Sequence, residues 1–152
     1  MSLGDRGKWA EGKVRDYLNV LAQQAGFNFM RLPDARAGSF VSTTADFLVG
    51  NKGQAWMLEV KEVAHEFRLP RHGYPTEQRS RVRMWEMAGF KSLVVVAFMP
   101  LKGAAYRADR QMWRAESLGY FTGDDTSSWD MRDQPLATLG AALSPLFLKD
   151  PL

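Results

Sequence analysis

Glu59 and Lys61 stand two residues apart in QAWMLEVKEV (residues 54–63), and on an extended chain that spacing sends both side chains out of one face. Met57 shares this face, while Leu58, Val60 and Val63 are expected to keep the other face apolar. Asp46 lies 13 residues before Glu59, in ADFLVG, and NKG between the two segments is a turn signal. A hairpin turning near Asn51–Gly53 therefore returns Asp46 to the side of Glu59, and two carboxylates and an ammonium converge. Two carboxylates held close repel one another, and a hard divalent cation relieves the repulsion. Mg²⁺ prefers a few carboxylates, with water or phosphate filling its remaining positions. Such an ion makes bound water a better nucleophile and stabilises charge on phosphorus oxygens. A lysine alongside supplies fixed positive charge where negative charge develops, or orients the attacking water. These are the ingredients of metal-assisted phosphodiester hydrolysis. The plainer alternative is a solvated acid–base pair of little energetic worth. It is weakened by the apolar surroundings from Trp56 to Val63 and by Asp46 on the preceding strand.

The elements that must position these groups follow from the apolar pattern. Trp9, Val14, Tyr17, Leu18, Leu21 and Ala25 recur at helical spacing over residues 7–25, with Asp5 available to cap the start and Gly26 to stop the end. Phe27–Leu32 is expected as a short strand, followed by the polar loop DARAGSFVSTT. After the hairpin, HEFRLPRHGYP is a loop, and Thr76 can cap a helix over 77–88 that ends at Gly89. SLVVVAFM is a continuous apolar strand of the kind found mid-sheet with both faces covered. A short strand over Ala105–Arg107 and a helix over 109–118 complete the pattern. Two apolar pieces of the tail, Leu136–Leu143 and Leu146–Leu148, have no assigned place. The order predicts an α/β fold, a mixed β-sheet flanked by helices on both faces. A length of 152 residues fits one domain, with a core over about 5–118 and a tail over 119–152 of unassigned role.

The absence of cysteine excludes disulfides, thiolate metal sites and cysteine nucleophiles. The longest apolar run, Leu93–Met99, is far short of the roughly 20 residues a membrane helix needs, and the N-terminus lacks a signal-peptide pattern. A soluble, cytoplasmic protein is expected. Residues 1–119 hold 18 Lys/Arg against 12 Asp/Glu, whereas 120–152 hold two bases and five acids. A basic body with a mildly acidic tail suits a polyanion such as DNA. Arg68, Arg71, His72, Arg79, Arg81 and Arg83 form a basic stretch in which Arg79 and Arg83 share a helix face. It is either a phosphate-binding strip or a solvated helix surface. Arg6, Lys8, Lys13 and Arg15 on the first helix offer a second path for DNA. His65 and His72 lack zinc-ligand spacing. Met84, Trp85, Met87 and Phe90 are expected in the core, and Trp9, Trp113 and Trp129 are assigned to packing as readily as to base stacking.

ADF, then EVK thirteen residues later, resembles the PD-(D/E)XK nuclease motif, with alanine in place of the usual proline. DRGKWAEGKV resembles the first-helix motif of Holliday-junction resolvases. STTADF and LEVKEV resemble the STTD and FEAKET segments of RecU-type resolvases. In TEQRSRVRMWEMAGFKSLVVVAF, Glu77-Gln78 stands where that family has His-Gln, and the same helix-to-strand step follows. The likeness runs from about residue 5 to 107. It implies a restriction-endonuclease-like fold with Asp46 and Glu59 as metal ligands and Lys61 as transition-state stabiliser. Thr44 and Gln78 match further metal-shell positions, and Glu11 matches the first-helix acid. It implies Mg²⁺, with Mn²⁺ able to substitute, branched or four-way-junction DNA as substrate, and a homodimer, because symmetric junction cleavage needs two sites about a twofold axis. Where the family carries a stalk that enters the junction, only DARAGSFV is present here. A phage or restriction-type nuclease of the same superfamily, and a non-catalytic nucleic-acid-binding protein of the same fold, are the alternatives.

Overall fold

The computed structural model describes residues 3–33, 44–100, 107, 109–123 and 126–147, with side chains from Trp9 onward. A five-stranded sheet has the order β1-β2-β3-β5-β6, built from β1 (Phe27–Arg31), β2 (Phe47–Asn51), β3 (Gln54–Val63), β5 (Lys91–Phe98) and β6 (Trp113–Glu116). Only β3 and β5 run parallel; the other neighbours are antiparallel. Their crossover carries β4 (Arg68–Pro70), a 3-10 turn (Arg71–Gly73) and helix α2 (Thr76–Met87).

The expected hairpin forms with its turn at Lys52 and Gly53, whose φ values of 50° and 85° are the pair of positive angles a tight two-residue hairpin needs. Helix α1 (Leu3–Leu21) covers one sheet face, where Val14 and Leu18 join Phe47, Leu58, Val60, Leu93 and Val95 in one apolar cluster. On the other face, Val82 of α2 joins Leu69, Tyr74, Val94, Val96 and Phe98. Helices thus lie on both faces of a mixed sheet. Val63 packs with this second cluster, because odd positions of β3 share the face of Glu59; the expectation that it joined Leu58 and Val60 is corrected.

Residues 109–118 are not a helix. Met112 and Trp113 are buried, and Trp113–Glu116 form an edge strand antiparallel to β5. Described parts of the tail also pack against the rest of the chain. β7 (Ser128–Asp130) pairs with β4 as a second, two-stranded sheet. α3 (Leu139–Ala142) and the 3-10 turn Ser144–Phe147 place Leu139, Leu143 and Leu146 in the α1-side core. Met84, Trp85 and Met87, expected inside, are 71%, 44% and 82% exposed. The loop at 34–43 and most of the strand expected at Ala105–Arg107 lie outside the described residues; Arg107 itself is not in a strand. Among the described residues, no helix is long and apolar enough to cross a membrane.

Candidate active site

At the open end of the β2–β3 hairpin the ladder slips. Leu58 faces Phe47, yet its carbonyl also accepts from the Asp46 N–H at 3.0 Å, so two residues of one strand oppose one of the other. Such bulges re-aim side chains. Here Asp46 Oδ2 accepts from the Val60 N–H at 2.8 Å, which fixes the carboxylate against β3. Its neighbour is Glu59, buried at 7% exposure beside Val94 of β5. Burial first, then the hydrogen bond with Asp46, raises the Glu59 carboxyl well above the ordinary carboxylate range, and Lys61 opposes that rise. The two acids are thus held close enough to compete for a proton, and a cation of higher charge is the natural substitute.

Gln78, in the first turns of α2, closes the site from above. Its Nε2 donates to Glu59 Oε2 and to the Thr44 carbonyl, the latter at 3.2 Å, while its Oε1 accepts from Lys61 Nζ at 3.2 Å. One amide therefore spans the acid and the base of the Glu-x-Lys pair. Lys61 Nζ also lies 5.2 Å from the centre of the Tyr74 ring. The structure brings Asp46, Glu59, Lys61 and Gln78 together, with Thr44 present through its carbonyl oxygen. Among the described residues no three His, Cys, Asp or Glu side chains form a metal cage. A donor set of two carboxylates with amide and carbonyl oxygens nearby is all oxygen and leaves positions open, which fits Mg²⁺ and does not fit zinc.

Glu11 stands apart. It lies on α1, across the sheet from Glu59, and its carboxylate is held by Arg31 Nε. Arg31 ends β1, and the N–H of the next residue, Leu32, donates to the Asp46 carbonyl at 2.8 Å, so the pair borders the site's strand. Glu11, Gly12, Arg15 and Arg31 line a cleft of about 320 Å³. Arg15 sits 3.6 Å from Asp16.

The basic stretch divides. Arg79 is 9% exposed and is not a phosphate contact: Nε donates to the Tyr74 carbonyl, Nη1 to the Phe121 carbonyl and Nη2 to Thr76 Oγ1, with the guanidinium 5.1 Å from the Trp129 ring. It pins the crossover to the tail, a long-range bond that a local charge pattern cannot reveal. Arg68 bonds Ser128 and Asp130, and Arg71 bonds the carbonyls of Gly123 and Thr126, so both also hold the tail. Arg83 is exposed on the outer surface of α2. Lys8 lies in α1, and its side chain is outside those described. His65 Nδ1 accepts the N–H groups of Phe67 and Arg68, a turn contact rather than a metal ligand's.

The sequence reading missed Tyr74, Arg31 and Glu62. Glu62 Oε1 accepts from the Ala10 N–H at 3.1 Å and ties α1 to β3. The alternation around Glu62 marks its face; nothing local marks the other two.

No family model and no curated protein matches this chain. Its fold is shared with solved structures, among them Archaeoglobus fulgidus Hjc, a Holliday junction resolvase from an archaeal hyperthermophile. That match has a TM-score of 0.55 at 20% identity and covers 86% of this chain and 98% of the other. The expected α/β fold, a mixed sheet with helices on both faces, is thus the fold observed, and that structure shares it.

Proposed function

We propose that this protein is a divalent-metal-dependent DNA endonuclease that cleaves four-way junctions. One observation carries the reading: Asp46, Glu59, Lys61 and Gln78 meet in one polar cluster on a fold shared with a junction resolvase. Asp46 and Glu59 would hold the metal, which supplies an activated water and charge stabilisation at the phosphoryl oxygens. Asp46 is pre-aimed by the Val60 N–H, so its carboxylate needs no reorganisation to serve. Lys61 presents positive charge toward the scissile phosphate, and Gln78 fixes it relative to Glu59. The apolar residues Val94, Val96 and Phe98 on the same face limit water beneath the site and strengthen these interactions. A homodimer follows from the symmetry of a four-way junction.

The test is incubation of the protein with labelled four-way junction, duplex and single strand, with Mg²⁺ or Mn²⁺ and with EDTA, alongside sedimentation to give the assembly state. Paired, symmetric, metal-dependent nicks confined to the junction are the expected result. Equal cutting of linear duplex identifies a restriction-type nuclease, and junction binding without cutting identifies a binding protein.

A further inference from the structure

Tyr74 is wholly buried, yet its hydroxyl has no hydrogen-bond partner among the described residues. A buried polar atom without a partner is destabilising, and a phenylalanine there would avoid that cost. What the residue offers in return is its ring: Lys61 Nζ sits 5.2 Å from the ring centre. A cation over an aromatic face is attracted by the ring's quadrupole, most strongly where water is excluded. Lys61 then has two anchors, the Gln78 amide oxygen on one side and the aromatic face on the other.

The ring is itself immobilised. The Phe121 ring stands perpendicular to it, at 87° with centroids 5.3 Å apart, and the Tyr74 carbonyl accepts from Arg79 Nε. The Tyr74 N–H donates to the Arg71 carbonyl at 3.1 Å, closing the 3-10 turn before α2. Phe121, in turn, packs edge-on against Trp129 of β7. A chain of rings and one guanidinium thus runs from the tail to the lysine.

We propose that Tyr74 is a positioning residue for Lys61, holding the ammonium over its ring and within reach of Gln78, with Phe121 and Trp129 of the tail as the ring's support. This rests on the nuclease reading only for its kinetic consequence; the contact itself is testable without any cleavage. The contact predicts an upfield ring-current displacement of the Lys61 Hε resonances in the intact protein. Tyr74→Phe keeps the ring and drops the orphan hydroxyl, so it should retain that displacement and the wild-type single-turnover rate. Tyr74→Leu keeps burial and loses the π face. It should lose the displacement and lower the rate about tenfold at saturating junction, with junction affinity unchanged.

A wild-type Lys61 whose Hε resonances lack the displacement overturns the proposal, whether or not Tyr74→Leu folds. So does a Tyr74→Phe variant as slow as Tyr74→Leu, because the hydroxyl would then be the working part. If the wild type shows the displacement and cleaves no DNA, the positioning stands and the nuclease reading falls.

Discussion

On the α1 side of β3, Leu58 and Val60 lie in a cluster made only of carbon-rich side chains from α1, the sheet and the tail. One residue along the same strand, Glu59 and Lys61 lie in a polar nest whose partners arrive from the crossover: Gln78 from α2 and Tyr74 from the turn before it. The first face is stabilised by non-directional burial, where contributions add and shape matters more than orientation. The second face is stabilised only if each group finds its counterpart, since a buried charge without one costs several kcal/mol. A single strand therefore carries a face that tolerates error and a face that does not.

The sharpest way to break the comparison is to remove charge from the polar face. Asp46→Asn and Glu59→Gln should each reduce single-turnover junction cleavage by at least about 10³-fold, and Lys61→Ala by about 10²–10³-fold. Junction binding should persist or tighten in the carboxylate variants, because repulsion toward phosphate is removed. Turnover near wild type in any of them would move the site elsewhere. The matching change on the other face is Leu58→Ala, which should cost about 2–5 kcal/mol of stability while leaving activity per folded molecule intact. Chemical denaturation beside active-site titration separates the two outcomes.

Arg79 tests whether the polar face extends into the tail. Arg79→Ala should destabilise the protein by about 2–4 kcal/mol, because the Phe121 and Tyr74 carbonyls lose a charged donor. Its effect on the salt dependence of DNA binding should be negligible. A variant of ordinary stability with weakened DNA binding would return Arg79 to the DNA surface.

Glu59 gives a pH signature. Its carboxyl is raised in the folded protein, chiefly by burial and by Asp46, so the folded state holds its proton more tightly than the unfolded chain does. Its contribution to stability is complete below the unfolded value near 4.5 and declines as pH rises through the folded value. Without divalent metal, stability should therefore fall as pH rises from about 4.5 through the folded value, and Glu59→Gln should flatten that slope. Added Mg²⁺ should restore stability at the higher pH by binding the folded state. A wild-type profile with no such slope would mean that Glu59 is solvated.

The smallest effect belongs to Arg83. As an exposed cation on α2 it should contribute no more than about 0.9 to the slope of log affinity against log salt on duplex arms. Arg83→Ala should reduce the slope by that amount or less, without changing sequence preference. An unchanged slope would direct the DNA path toward the cleft of Glu11, Arg15 and Arg31.

How much of this was legible in the sequence divides along the same line. The hairpin, its turn, the pairing of Asp46 with Glu59 and the Glu-x-Lys face were readable because each rests on neighbours a few residues away. The strand at Trp113–Glu116 departs from the helix its local pattern predicts because its identity depends on an antiparallel partner in β5. Leu139, Leu143 and Leu146 gave no local sign of reaching the α1-side core. Arg79 has the look of a surface residue because partners as distant as Phe121, 42 residues away, and Trp129 complete its burial. Met84, Trp85 and Met87 looked like core because residue type, without a tertiary partner, says nothing about which way a helix turns.

The turn at Lys52 and Gly53 has a consequence for how the gene can vary. Side chains on a strand alternate with strict parity, so one codon inserted inside β3, between Gln54 and Glu59, would put the far half of that strand out of phase with β2. Glu59 and Lys61 would be driven toward the α1 core, or the ladder would have to rebuild. A codon inserted between Asn51 and Gln54 only lengthens the loop, since those two residues can still pair across it. Length variants that keep the activity should therefore gather in the turn and avoid Gln54–Lys61, a rule that can be checked by counting.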